Sequence, residues 1–235
     1  MSGIIQMPWR TQPHTQPPVL PRYLGSTWIP GGQPLVIGGG TPVIGPNGMG
    51  RGLIGDGLSW LTYPSKTYAS DAGITVVFVA GNVGATSTNS MLCGDVSTAN
   101  FIWLNDGSGV LRLRQNSSDT FFTVDTTKMA AYVLTVEAAV ATTHKNKSLY
   151  KNGVLVSTQN GPIDAFPLTM IGNGYTSNTF ALNGGVNLLH VMPIFLPESE
   201  AVALSKNPWQ IFVPPQRTLW APSSVVNSLM GQISL

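Results

Sequence analysis

Charge is what this chain has least of. Of its 235 residues only 9% are Asp, Glu, Lys or Arg, against roughly a quarter in ordinary soluble domains. Twelve Lys and Arg stand against 10 Asp and Glu, for a formal charge of +2. That balance excludes a protein that holds nucleic acid by neutralising many phosphates. It also excludes disorder of the high-charge kind, because apolar residues make up 43% of the chain. A coiled coil would need abundant Glu, Lys, Leu and Ala. No stretch approaches the ~18 consecutive apolar residues that cross a bilayer, so no membrane is expected among its partners. Cys93 is the single cysteine. It excludes an intrachain disulfide and reads as a small buried hydrophobe. The first residues lack the basic start and apolar run of a secretory leader, which predicts a chain made in a reducing cytosol.

Glycine and proline are plentiful, and unevenly placed. Nine of 18 prolines precede residue 47, 13 of 26 glycines precede residue 58, and no acidic residue occurs before Asp56. Proline fixes φ and removes a backbone donor, so residues 1–50 are expected to form an extended arm, neither helix nor central strand. Aromatic residues punctuate it. Trp9, Tyr23 and Trp28, with Arg10 and Arg22, are the candidate anchors of this arm on a neighbouring subunit; folding back on its own body is the other reading. Residues 214–235 are again proline-bearing and read as a second extended tail.

Between them, residues 51–213 alternate short apolar runs with turn signals, the spacing of an all-β sandwich. Strands are predicted at Ile74–Ala80, Phe101–Leu104, Val110–Arg114, Phe121–Val124, Tyr132–Val140, Leu168–Ile171 and Val186–Val191. In Tyr132–Val140, Tyr132, Leu134, Val136, Ala138 and Val140 are expected on one face, with Thr135 and Glu137 on the other. Asn152-Gly153 between Leu149-Tyr150-Lys151 and Val154-Leu155-Val156 signals a type I′ hairpin. One helix is predicted: Pro197 suits its first turn, Glu198 and Glu200 complement the positive end of its dipole, Lys206 its negative end, and Asn207-Pro208 stops it.

Three ordered segments resemble the concanavalin A-like (laminin-G-type) jelly roll. They are Gly52-Leu53-Ile54-Gly55-Asp56-Gly57 leading into Ile74–Phe78, Leu149-Tyr150-Lys151-Asn152-Gly153, and Leu168–Gly172 continuing through Gly184-Gly185-Val186 to Phe212. The ending Leu204-Ser205-Lys206-Asn207-Pro208-Trp209-Gln210-Ile211-Phe212 resembles such domains in tailed bacteriophages. The resemblance covers roughly residues 50–213 and implies an antiparallel jelly-roll β-sandwich with one short C-terminal helix; the extended N- and C-terminal arms lie outside it. Members of that family include lectins, glycanases and virion proteins, so the fold leaves function open.

The chemistry points away from catalysis. Glycanases need two carboxylates flanking the scissile bond. The three glutamates are Glu137, alone on its strand, and Glu198 and Glu200 on the helix; the nearest acidic pair in a strand region is Asp119 and Asp125. His190 reads as a core histidine. Gly50-Arg51-Gly52-Leu53-Ile54-Gly55 matches a dinucleotide fingerprint in letters only, since the flanking strand and helix are missing. Asn116-Ser117-Ser118 and Asn146-Lys147-Ser148 match the glycosylation pattern, a chance match in a chain rich in Asn and Ser. Asp95, Asn105 and Asp106 could gather a calcium ion, but turn chemistry accounts for them equally well. No metal and no cofactor is expected.

Two functions remain. The first is a non-enzymatic virion structural protein, assembled in the host bacterial cytoplasm. In its simplest form this is a capsid decoration (cement) protein whose partners are the major capsid protein or tail proteins, itself a homo-oligomer such as a trimer. The alternative is a tail or tail-fibre lectin that binds host glycan on a rim of Asn105, Asp106 and Tyr175. There Trp103 is read as core and Tyr175 as the exposed aromatic.

Overall fold

Alternating apolar and β-branched residues, broken by Gly, Asn and Asp, build two antiparallel sheets. The computed structural model describes residues 23–24, 27–28, 35–39, 43–46, 51–58, 60–82, 90–97, 99–106, 108–139, 145–173 and 180–212. Among them the strands are β1 (Tyr23–Leu24), β2 (Thr27–Trp28), β3 (Leu35–Gly39), β4 (Val43–Pro46), β5 (Arg51–Asp56), β6 (Trp60–Tyr68), β7 (Ile74–Gly81) and β8 (Ser90–Gly94). They continue with β9 (Phe101–Asn105), β10 (Val110–Gln115), β11 (Ser118–Thr123), β12 (Ala130–Val136), β13 (Lys145–Lys151), β14 (Val154–Gly161), β15 (Phe166–Ile171) and β16 (Asn183–Met192). One helix follows, α1 (Glu198–Lys206). The nine-stranded sheet runs β1-β2-β3-β6-β15-β8-β9-β10-β11, and the seven-stranded sheet runs β14-β13-β12-β7-β16-β5-β4. The expected jelly-roll β-sandwich is the fold.

Its core lies between the sheets. Phe78, Tyr132, Leu134, Leu149 and Val191 from one sheet meet Leu92, Ile102, Leu111, Leu113, Phe122 and Leu168 from the other. Phe78 and Tyr132 stack with ring centroids 4.9 Å apart. Each such side chain stabilises the fold by about 1.5–3 kcal/mol through burial. A second apolar layer covers the outer face of the seven-stranded sheet, where Val77, Val79, Ala131, Val133 and Tyr150 pack under Leu196, Ala201 and Leu204. β7 and β12 are thus buried at every position. The polar face expected for Tyr132–Val140 does not form, because α1 covers it; the strand ends at Val136, and Thr135 is buried.

Local signals behave as read. Asn152 and Gly153 take φ of 50° and 86°, the two positive values of a type I′ turn. The Asn152 carboxamide oxygen accepts the Ala131 N–H at 3.0 Å, and the Gly153 N–H donates to Ser205 Oγ at 3.0 Å, which ties the hairpin to α1. The helix opens after Pro197, carries Glu198 and Glu200 in its first turn and Lys206 in its last, and stops at Asn207. The Pro208–Phe212 turn follows, and Trp209 and Ile211 pack on the outer apolar layer.

The proline-rich segment departs from expectation. β3 pairs with β6, and β4 with β5, so the sheets begin upstream of residue 51. β3 is an interior strand. Its five residues contain no proline, since Pro34 and Pro42 flank it rather than interrupt it. β3 and β4 therefore fold onto their own body. The tail 214–235 lies outside the described residues.

Glycine in β5 answers to packing. A Cβ on Gly55 would stand 2.1 Å from the Leu182 carbonyl oxygen, and one on Gly52 would stand 2.4 Å from that of Val186. The apparent fingerprint is a close strand–strand approach. Cys93 and His190 are buried, as read, and burial pushes the Cys93 thiol pKa up.

Lys147 lies on the inner side of β13, fully buried, with its ammonium donating to Thr120 Oγ1 at 3.1 Å. Burial pulls its pKa down to about 8. The unfolded chain holds that proton up to about pH 10.4, so the native state binds fewer protons between these values and stability rises with pH across the window. Lys147→Met should stabilise the protein by about 1–3 kcal/mol at pH 7, with the gain shrinking from pH 8 to 10.5. Urea unfolding of both proteins across that range measures it.

Candidate functional site

One helix covers one sheet; the outer face of the other carries a different kind of surface. In β9, alternation sends Ile102 and Leu104 to the core and Phe101, Trp103 and Asn105 outward. In β10 it sends Leu111 and Leu113 in and Arg112 and Arg114 out, and in β11 it sends Phe122 in and Asp119 and Phe121 out. Asn116 and Ser117 turn the β10–β11 hairpin with φ of 45° and 65°. That turn sets the register: Arg114 stands opposite Asp119, and Arg112 opposite Phe121. On the other side Arg112 faces Trp103 and Arg114 faces Phe101. Two cross-strand rows result, Trp103–Arg112–Phe121 and Phe101–Arg114–Asp119.

The rows are locked together. Asp119 Oδ1 accepts Nε of Arg112 at 2.8 Å and Nε of Arg114 at 2.6 Å, and Oδ2 accepts their Nη2 groups at 2.5 and 2.7 Å. Two guanidinium forks thus share one carboxylate. The Arg112 guanidinium carbon lies 4.8 Å from the Trp103 ring centroid, 5.3 Å from Phe121 and 5.5 Å from Phe101; that of Arg114 lies 5.0 Å from Phe101. These are cation–π distances. Phe101 stacks on Trp103 at 5.1 Å, and Phe180 leans on Trp103 at 5.5 Å. Phe121 is 48% exposed and Trp103 half-buried. Partial burial would raise the Asp119 pKa, but the hydrogen bonds from Arg114 and Arg112 and their charges outweigh it and hold the carboxyl at about 2.

Sequence reading placed Trp103 in the core; the structure turns it outward. Asn105 lies on the same outward face of β9 but is 7% exposed, and its side-chain oxygen accepts the Gly109 N–H at 3.1 Å. The Asp106 carboxylate accepts the Ser108 N–H at 2.9 Å. Both are occupied as turn formers at the end of the β9–β10 hairpin. Tyr175 lies outside the described residues. So do Trp9, Arg10 and Arg22, while Tyr23 and Trp28 are register partners in the β1–β2 pair. Asp95 accepts Ser97 and Asn100 in its own turn. Among the described residues no three His, Cys, Asp or Glu side chains converge as a metal cluster. Asp125 closes a turn onto Thr127, and Glu137 accepts the backbone and side chain of Asn146.

No protein-family model and no curated protein matches the chain. Solved structures do. Domain 4 of AbnA, a GH43 extracellular arabinanase from Geobacillus stearothermophilus, solved in complex with arabinotriose, aligns with TM-score 0.52 and 18% identity over 77% of this chain and 92% of that one. Trypanosoma rangeli sialidase in complex with 2,3-difluorosialic acid aligns with TM-score 0.54 and 16% identity, over 80% of this chain. The match spans 32% of the sialidase, about a third of its length. At such identity the likeness is one of fold.

Asp119→Asn tests the clamp. It should cost about 1–3 kcal/mol at pH 7. Because the native carboxyl titrates lower than the unfolded one at about 3.9, the contribution is complete above that value and is lost as pH falls towards 2. The urea midpoints of the two proteins should converge at pH 2.

Proposed function

We propose that this chain is a non-catalytic recognition module, carried on a bacteriophage tail or tail fibre, that binds host-surface carbohydrate on the outer face of its nine-stranded sheet. The observation that carries the reading is the pair of rows in which Trp103 and Phe121 flank a guanidinium fixed by Asp119. Apolar C–H faces of a sugar ring stack on aromatic side chains, and its hydroxyls take hydrogen bonds from fixed donors. Arg112 spends Nε and Nη2 on Asp119; its Nη1 group has no partner among the described residues. The groups sit on strands rather than loops, so little ordering cost is left for binding. Asp119 stays ionised near neutrality, so it has no proton to donate to a leaving group. The arabinotriose-bound neighbour supports a sugar ligand, and the Asn207-Pro208-Trp209 ending supports the phage setting.

A glycan array followed by calorimetry on the best hit tests this. Trp103→Ala and Phe121→Ala should each weaken binding about 10-fold or more with the far-UV spectrum unchanged. An array that stays blank, or affinity unaffected by both substitutions, overturns the reading.

Capsid decoration is the second reading, favoured by the low charge and by Trp9, Arg10 and Arg22 in the first 22 positions. Deleting residues 1–22, which spares every described strand, should then abolish binding to particles. Retained particle binding rejects it.

A further inference from the structure

Sheet edges are templates for pairing, and proteins guard them with short strands, charge, proline or bulges. Among the described residues this sandwich has four. β1 is two residues long, β4 is four and ends in Pro46, and β11 is six and carries Asp119. β14 is the exception. It is eight residues long, Val154-Leu155-Val156-Ser157-Thr158-Gln159-Asn160-Gly161, with no charge and no proline, and it is largely exposed, Val154 at 67% and Leu155 at 40%. Its pairing with β13 is irregular near Val156, but from Ser157 to Gly161 the register is unbroken.

We propose that β14 is a homodimer interface, pairing antiparallel with β14 of a second copy to join two seven-stranded sheets into one. A second copy is the fitting occupant because the strand is self-complementary. Laid antiparallel on itself it sets Ser, Thr, Gln and Asn against one another with no like charges opposed, and a net charge of +2 gives little long-range repulsion. The twofold axis relating two antiparallel strands is perpendicular to the sheet. Both nine-stranded sheets therefore lie on the same side of the dimer. β11, which bears Asp119 and Phe121, packs beside β14, so the two aromatic–guanidinium faces come side by side and point the same way. Taking those faces as the sugar sites proposed above, the dimer is a bivalent binder whose retention on a dense glycan surface gains from effective concentration.

The test uses the full chain. Sedimentation velocity at about 10–100 µM, the range of a modest self-association, should show a dimer. Thr158→Lys/Asn160→Lys, at two exposed positions facing Ser148 and Asn146 in β13, should sediment as a monomer with unchanged thermal melting. Thr158→Cys should give an interchain disulfide on mild oxidation while Thr67→Cys on β6 does not; Cys93 is buried and does not compete. The double Lys variant should keep the wild-type affinity for a monovalent sugar but lose about 100-fold in retention on a glycan-coated surface. A monomeric wild type, with β14 amides either exchanging freely or protected by its own chain, overturns the proposal. A dimer that survives the double Lys substitution also overturns it. A β14 dimer that binds no sugar leaves the interface standing and removes only the carbohydrate reading.

Discussion

Burial of β7 and β12 on both faces is the constraint from which the rest of this structure follows. A strand with apolar side chains on both sides needs two covers. The nine-stranded sheet supplies one, through Phe122, Leu111 and Leu113. The helix and the turn after it supply the other, through Ala201, Leu204, Trp209 and Ile211. With α1 spent on the seven-stranded sheet, the described residues over β9–β11 are their own outward side chains and Phe180, which leans on Trp103. Aromatic rings there would be an exposed apolar patch. Interleaved guanidiniums turn them into a mixed surface, and the shared carboxylate keeps those guanidiniums in place.

The elements that could be read from sequence are those whose signals are local. Asn152-Gly153 needs two positive φ values, Pro197 with Glu198 and Glu200 suits only a helix start, and Ile74–Ala80 is too β-branched to be anything but a strand. The ends of β12 were not legible, because Tyr132 to Val140 alternates plausibly past Val136. What stops the strand is where its partners β7 and β13 stop pairing. β3 was hidden for the opposite reason. Prolines on either side made its five residues look like part of an irregular arm, although none falls inside it.

The candidate site was legible in part. Phe101-Ile102-Trp103-Leu104 is apolar throughout, so composition alone could not say which pair faced the core. The decisive signal was in the neighbouring hairpin. Val110-Leu111-Arg112-Leu113-Arg114 alternates strictly, and apolar Leu111 and Leu113 must face in. Placing the turn at Asn116-Ser117 then puts Arg114 across from Asp119 and Arg112 across from Phe121. As a sequence, Asn116-Ser117 reads only as part of a chance glycosylation match. The register also puts Asp119 and Asp125 in separate settings. Asp119 is bound to two arginines, and Asp125 is held in the turn that follows β11.

Scarcity of charge takes a different meaning once the charges are placed. Arg112, Arg114 and Asp119 form one cluster on one face, and Lys147 is buried between the sheets. Lys151 donates to the Asp125 carbonyl oxygen and lies 5.9 Å from the Tyr132 ring centroid. Several of the few charges are thus drawn into specific contacts, while Asp71, Lys128, Glu198, Glu200 and Lys206 stay exposed. A surface so sparsely charged has little to keep copies apart, and its longest described sheet edge, β14, carries no charge. Low charge and an unguarded β14 are then the same property seen at two scales. On the recognition reading proposed above, an edge that joins two copies is a gain, since the second copy aligns another face without requiring a tighter one.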